Sequence, residues 1–97
     1  MIDDSSYGMR FEPVRVRVRY GDTVRFVQAG RTPHNVEFKA APAGTELGRQ
    51  RVGPLLTRRG EAYEVVIDRR FAVGKHLYVC TPHEVLGMAG LLYVSEQ

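Results

Sequence analysis

The sequence predicts an all-β fold, a Greek-key β-sandwich of about eight strands with little helix. Short segments in which apolar and polar residues alternate recur along the chain, and Gly and Pro separate them. No segment keeps a helical period over the roughly 11 residues that a helix prediction needs. A sandwich closes one layer of strands on another, and its end loops are free to carry a functional site.

The amino-terminal part holds the clearest strand pattern. Residues 1–6 are polar and are expected to fray. A short strand is predicted over Tyr7–Phe11, before Pro13 interrupts the pairing. Val14–Tyr20 then alternates without a fault, so we predict that its apolar residues, from Val14 to Tyr20, face the core. Its arginines share the outer face, where charged side chains commonly protect a strand from aggregation.

The rest of the chain alternates strand patterns with turns. Five further segments are predicted strands: Thr23–Gln28, Asn35–Phe38, Ala62–Ile67, Lys75–Cys80 and Leu91–Val94. Residues 39–61 are rich in Gly and Pro, and only Arg51-Val52 and Leu55-Leu56 could form short strands there. We expect a single domain over residues 1–97, because a chain of this length can bury one core but not two.

Composition argues against several classes of function. The chain has 43% hydrophobic and 26% charged residues, as ordinary globular proteins have. No apolar run approaches the roughly 18 residues that span a bilayer, and Met1–Asp4 lacks the basic and apolar regions of a signal peptide. The net charge is +3, and the arginines are spread along the chain without interleaved aromatic residues, so nucleic-acid binding is not expected.

The most informative stretch lies near the carboxyl end, where Cys80–Met88 reads Cys-x2-His-x4-Met. Cys80 ends one predicted strand and another follows Met88, so the stretch is a short loop. Far upstream, His34 opens a predicted strand directly after a loop. In an antiparallel sandwich, this loop and His34 can lie at the same end, and we expect them to form a metal site.

The donor types select the metal. The candidate ligands are His34, Cys80, His83 and Met88. A methionine thioether is a poor ligand for zinc, which takes Cys, His and carboxylates, but a good soft ligand for copper. Two imidazoles, one thiolate and one weak thioether form the ligand set of a blue-copper electron-transfer centre. We therefore predict one copper ion, which alternates between Cu(I) and Cu(II).

Each donor taken alone has an ordinary structural explanation. A single histidine is more often a strand-end residue than a ligand, a single methionine more often belongs to the core, and a lone cysteine is more often a small buried hydrophobe. Only the complete pattern favours a metal. The third histidine, His76, lies on the same strand as Cys80 but about 13 Å away by strand spacing, so we expect a partly buried residue and not a ligand.

Three further residues are candidates for contacts around the ligands. Asn35 can offer its main-chain N–H to the thiolate and its side chain to the ligand loop. Thr81 can brace that loop, and Pro82 lacks an N–H and so removes one donor to the sulfur. Such neighbours orient metal ligands and tune them.

Several segments together resemble the cupredoxins, the small blue-copper proteins. These segments are Tyr7–Pro13, Gly21–Val24, His34–Glu37, Cys80–His83 and Gly87-Met88. They look most similar to pseudoazurin, with plastocyanin and amicyanin next, and the resemblance spans residues 7–95. It implies an eight-stranded Greek-key sandwich, one copper ion held by the four candidate ligands with Asn35 beside them, and an exported electron shuttle.

The function predicted is that of an electron carrier and not of an enzyme, because an axially capped metal leaves no open position for a substrate. The electron is expected to pass through His83. The expected partners are redox proteins, such as a copper nitrite reductase or a cytochrome, and the expected location is the periplasm or another exported compartment, as a monomer. Two alternatives stay open: a copper carrier or scavenger without a redox partner, and a metal-free adhesion or regulatory sandwich.

Overall fold

Eight strands and two short 3₁₀ helices form within the described residues, which are 1–4 and 8–96 of the computed structural model. The strands are β1 Ile2–Asp4, β2 Gly8–Arg10, β3 Arg15–Arg19, β4 Thr23–Val27, β5 Glu37–Ala40, β6 Ala62–Val66, β7 Gly74–Val79 and β8 Ala89–Ser95. The 3₁₀ helices are Gly48–Arg51 and Thr81–Leu86. The prediction of a β fold with little helix is confirmed. None of these helices has the length and apolar character that a membrane crossing requires.

The strands form two layers. One layer is a four-stranded sheet in the order β3-β8-β7-β5. The other contains the antiparallel pairs β4–β6 and β1–β2, which Met1 joins, because its amine donates to the Val27 carbonyl at 3.1 Å and its carbonyl accepts from the Ala29 N–H at 3.0 Å. Strand β3 runs parallel to β8, whereas every other pair is antiparallel.

The amino terminus differs from the sequence-based expectation. Residues 1–6 were expected to fray, but Ile2–Asp4 forms a strand paired with Gly8–Arg10. The reason is tertiary: Met1 is buried and bonded to the end of β4, so the segment that follows is held beside the sandwich. Residues 5–7, including Tyr7 of the predicted first strand, lie outside the described residues.

Strand β3 follows its alternation, with one correction. Val18 is buried and Val16 half-buried, while the three arginines of the strand are exposed. Tyr20 is half-buried, and its hydroxyl donates to the Phe71 carbonyl at 2.6 Å. Val14 was predicted to face the core but is 48% exposed. It precedes the strand, and its carbonyl accepts the Leu91 N–H at 2.8 Å without its side chain entering the core.

Aromatic rings join the two layers in the core. Tyr78 of β7 makes edge-to-face contacts with Phe11 and with Phe26 of β4, at centroid distances of 4.8 and 5.1 Å. Such geometry adds to the stabilisation from burial alone. Across the sheet from Tyr78 stands Gly90, where a Cβ atom would lie only 2.5 Å from the tyrosine ring. The glycine therefore provides the space that the ring occupies.

The irregular middle segment contributes single bridges instead of strands. Arg51 ends a 3₁₀ helix, Val52 forms one bridge with Glu37, and Leu56 forms one bridge with His34. The two weak strand predictions in this region are thus reduced to single pairs. The second pair has a consequence for function, because it fixes the main chain of His34 on both its N–H and carbonyl sides.

Strand register brings the remote candidate residues to one end of the sheet. Strands β7 and β8 form a hairpin in which Val79 pairs with Ala89, so the loop of residues 80–88 closes that hairpin. Glu37 of β5 pairs with Val79. Continuing this antiparallel register places the residues just before Glu37, His34 among them, beside the start of the loop.

Candidate metal centre

Three donor atoms converge at this end of the sandwich. The Cys80 Sγ lies 3.6 Å from the His34 Nδ1 and 3.3 Å from the His83 Nδ1. All three atoms lie within 4.8 Å of one another. The structure therefore brings together residues separated by 46 positions in sequence, as the predicted metal site requires.

The loop that carries Cys80 and His83 is tightly organised. It forms a 3₁₀ helix, Thr81–Leu86, and Pro82 lies in the first turn, where no main-chain donor is needed. The helix ends at Gly87, whose φ of 81° is the left-handed conformation that glycine adopts readily. The Cys80 N–H donates to the Met88 carbonyl at 3.1 Å, which closes the loop at its base.

Burial separates one ligand candidate from the other three. His34, Cys80 and Met88 are fully buried, whereas the His83 side chain is partly exposed. Met88 is bonded to the loop through both its main-chain groups, since its carbonyl accepts from Cys80 and its N–H donates to the His83 carbonyl at 3.4 Å. The arrangement can thus hold a metal inside the protein with a single imidazole edge at the surface.

The thiol of Cys80 is in an environment of opposing effects. Burial raises the pKa of the Cys80 thiol above its ordinary value, and the main-chain N–H groups of Asn35 and His83 offset only part of that rise. The Asn35 bond is the one anticipated from the sequence. The N–H of the residue after Pro82, His83, donates to the Cys80 carbonyl at 3.0 Å and also counts among the groups that lower the pKa of the thiol.

The side chain of Asn35 fastens the start of the loop. Its Nδ2 donates to the Thr81 Oγ1 at 3.0 Å, and its Oδ1 accepts the Thr81 N–H at 2.7 Å. The reciprocal pair joins the residue after His34 to the residue after Cys80. The two ligand segments therefore cannot separate without breaking both bonds.

Sequence reasoning missed a residue that supports the His34 segment. The buried Gln28 donates through Nε2 to the Thr32 carbonyl at 2.7 Å and to the Leu56 carbonyl at 2.9 Å, and its Oε1 accepts the Gly30 N–H at 2.8 Å. A signal was present in the sequence, because Gln28 occupies the inward register that Phe26 also follows. A polar residue at a core position calls for hydrogen-bond partners.

His76 does not belong to the group of donors. It is fully buried, where partial burial was expected, and its ring packs against Phe71 at a centroid distance of 5.4 Å. One ring nitrogen, Nε2, lies 2.8 Å from the Ala72 carbonyl. Among the described residues, the cluster of possible metal ligands contains His34, Cys80 and His83 but not His76.

The geometry suits one small metal ion. Nitrogen and sulfur ligands bind first-row metals at about 2.0–2.3 Å, so ligands arranged around one ion stand roughly 3.5 Å apart. The observed separations of 3.3 and 3.6 Å agree with this value. Among the first-row metals, copper suits a ligand set of one soft sulfur and two imidazoles.

Comparison with known proteins decides the family. The family model described as copper binding proteins, plastocyanin/azurin family, matches residues 1–95. The chain belongs to this family. It is 34% identical to plastocyanin of Prochlorothrix hollandica over 92% of this chain and 66% of that protein. It is 37% identical to amicyanin-alpha of Methylorubrum extorquens over 77% of this chain and 57% of that protein.

Solved structures support the same fold. A mutant plastocyanin of fern is 28% identical and superposes with a TM-score of 0.70, covering 89% of this chain and 88% of that one. These comparisons indicate plastocyanin and amicyanin and do not indicate pseudoazurin, which the sequence pattern had favoured. The chain spans 58–66% of the length of the first three curated relatives that it matches.

Proposed function

We propose that this protein is a blue-copper electron carrier that holds one copper ion through His34, Cys80, His83 and Met88. The observation that supports it most strongly is the convergence of one sulfur and two imidazole nitrogens within 4.8 Å. When bound, copper supplies one-electron redox chemistry. Met88 would serve as the fourth ligand; this role is supported by its burial and by its main-chain bonds to Cys80 and His83.

The protein would contribute in two ways: it holds the ligand residues rigidly, and it exposes one of them to a partner. His34 and Cys80 are fully buried, and main-chain hydrogen bonds hold His34 to Leu56 and Cys80 to Met88, so a change of charge at the site requires little movement of the chain. His83 alone reaches the surface and offers the shortest route to a partner. Four protein ligands would leave a bound copper no open position for a substrate, and we therefore propose a carrier and not an enzyme.

The surface around His83 suits a transient contact. Val85 is 93% exposed and Leu86 is 64% exposed, and both lie on the ligand loop. A small apolar patch beside a redox centre permits fast binding and release, as weak electron-transfer complexes require. We propose redox proteins as partners, with a copper nitrite reductase or a cytochrome as candidates.

Three finer features remain proposals. We propose the periplasm or another exported compartment as the location, a monomer as the working form, and a single domain over residues 1–97. The location is supported by the likeness to exported electron shuttles. A particular likeness to pseudoazurin also stays a prediction, since the relatives above are plastocyanins and an amicyanin.

Copper loading tests the proposed function. Adding Cu(II) to the metal-free protein should produce an intense absorption at about 600 nm and the matching EPR signal of a copper–thiolate site. A colourless copper complex would favour the alternative, a carrier or scavenger without a redox partner. Absence of any copper binding would favour a metal-free sandwich.

A second experiment tests the electron-transfer surface. Reduced cytochrome c serves as the probe donor in stopped-flow oxidation by the copper-loaded protein. Val85→Asp, in the patch beside His83, should slow the reaction. Val73→Asp is the matched control, because Val73 is also exposed, at 48%, but lies just before the opposite end of β7, about 20 Å from Val79 by strand rise. Equal rates for the two variants would contradict the proposed surface.

A further inference from the structure

We propose that Glu37 is a positioning residue, which fastens the ligand loop to strand β5 through Thr81 and whose negative charge lowers the reduction potential of the site. This inference rests on the proposed copper centre. Glu37 follows His34 on the chain by three positions and pairs with Val79, next to Cys80. It thus stands between the two ligand segments without being a ligand candidate.

The strongest contact of Glu37 reaches the residue that follows Cys80. The Thr81 hydroxyl donates to the Glu37 Oε1 at 2.7 Å. An ionised carboxylate can only accept, so the single hydroxyl hydrogen of Thr81 is committed to Glu37. The Thr81 oxygen must then accept from the Asn35 Nδ2, which lies 3.0 Å away. Glu37 therefore sets the direction of the Thr81 hydroxyl, which matches the orientation that the Thr81 N–H already imposes on the Asn35 amide.

Glu37 also reaches the other ligand on the loop, through a lysine. The Lys39 Nζ lies 3.7 Å from the Glu37 Oε2 and 3.4 Å from the Glu84 Oε1, and Glu84 is the neighbour of His83. Arg51 approaches the same Glu37 oxygen at 3.5 Å. The carboxylate consequently joins β5, both ligand-bearing parts of the loop and the end of the first 3₁₀ helix.

Burial distinguishes Glu37 from an ordinary surface ion pair. Its side chain is 12% exposed, against 38% for Lys39 and 58% for Arg51. Exposed pairs contribute little, but a hydroxyl bonded to a shielded carboxylate is a stronger, charge-assisted contact. The hydrogen bond from Thr81 is also the main reason why the pKa of Glu37 lies below its ordinary value, so the residue is charged at neutral pH.

The charge has a direction of effect on the metal. The oxidised ion carries one more positive charge than the reduced ion, and a nearby carboxylate stabilises the more positive state. Removing the charge should therefore raise the potential. Removing the hydrogen-bond acceptor as well should loosen the loop. Mutating a residue that supports a metal ligand typically weakens metal binding by about 10–100-fold.

Two substitutions separate the two effects. Glu37→Gln keeps an acceptor oxygen for Thr81 but removes the charge, and Glu37→Ala removes both. Glu64→Gln and Glu64→Ala are the matched controls, because Glu64 is also a strand carboxylate in an ion pair, with Arg25 at 3.9 Å, but it belongs to β6 and is 62% exposed. Four properties are measured: copper affinity by chelator competition, the absorption and EPR spectra, the reduction potential, and amide hydrogen exchange of the metal-free protein.

The expected results differ between the variants. Glu37→Ala should bind copper about 10-fold more weakly, change the spectra and speed exchange of the Thr81 N–H. Glu37→Gln should restore the spectra and the Thr81 protection while its potential stays above that of the wild type. The Glu64 variants should match the wild type in all four measurements.

The outcomes that overturn the inference are distinct from failure of the proposed function. If the Glu37 and Glu64 variants agree in affinity, spectra, potential and exchange, Glu37 does not position the loop. If Glu37→Ala does not fold, the potential of Glu37→Gln decides, and no rise relative to Glu64→Gln refutes the charge effect. Absence of the absorption at about 600 nm in the wild type refutes the copper–thiolate centre, and exchange at Thr81 then still tests the fastening.

Discussion

Replacing Gln28 by methionine should destabilise the protein through the loop that leads to His34. Methionine has a similar length and fills the same space, so the change removes hydrogen bonds with little loss of volume. Three bonds disappear, to the Thr32 carbonyl, the Leu56 carbonyl and the Gly30 N–H. The main-chain bonds of Gln28 with Glu61 and Gly60 remain.

The magnitude follows from what is left without a partner. A hydrogen bond contributes a net stabilisation of about 0.5–1.5 kcal/mol. The Leu56 carbonyl keeps one partner, the His34 N–H at 3.1 Å. Losing its bond to Gln28 should therefore cost an amount near the lower limit of that range. We expect a total of about 3 kcal/mol for the three bonds. For a chain of this size that corresponds to a fall in Tm of about 12–24 °C.

The assay is urea unfolding of the metal-free protein, which avoids the added stability of a bound ion. Gln50→Met is the matched control, because it is the same substitution at a side chain whose buried Oε1 has no hydrogen-bond partner among the described residues. The control should change the free energy of unfolding by no more than about 0.5 kcal/mol. A Gln28→Met protein as stable as this control would refute the reasoning.

Three further changes have defined outcomes. Cys80→Ser should abolish the absorption at about 600 nm while the metal-free protein keeps its fold by circular dichroism, and a retained band would contradict the assigned thiolate. Gly90→Ala should cost about 1–3 kcal/mol in urea unfolding, because the new methyl would lie 2.5 Å from the ring of Tyr78, which is only 1% exposed; unchanged stability would show that the ring can move. Thr81 stabilises the charged form of Glu37, so the wild type should be more stable than Glu37→Gln when Glu37 is ionised. The difference in the free energy of unfolding should be complete above the ordinary glutamate pKa of 4.5, and it should vanish as the pH falls through the lower pKa of the folded state. Urea unfolding of both metal-free proteins over a pH series measures this, and a difference that is independent of pH would count against the Thr81 bond.

Much of the fold was predictable because strand alternation is a local property. Val24 and Phe26, for example, face the core as their spacing in the sequence indicates. The prediction failed where a contact from elsewhere decided the outcome. Val14 fits the same alternation but precedes the strand with its side chain exposed, and Met1 is held by Val27, a residue that no local pattern connects to it.

The metal-ligand donors of the candidate site were easier to predict from the sequence than the residues that hold those donors in place. The motif Cys80–Met88 and the residue pair His34-Asn35 identify the donors, because few ligand sets combine thiolate, imidazole and thioether. The supporting residues Gln28 and Glu37 have no such signature. Their roles depend on which carbonyl or hydroxyl lies opposite them in the folded chain.

The sequence by itself therefore determined the β class, most strand positions and the chemistry of the metal ligands, since each depends on the residue types within a short segment. The tertiary structure decided the parallel pairing of β3 with β8, the 3.6 Å approach of His34 to Cys80 and the joining of the loop to β5 by Glu37. The physical reason is that strand register and layer packing bring together groups far apart in sequence, and the energy that selects a register is summed over the whole core.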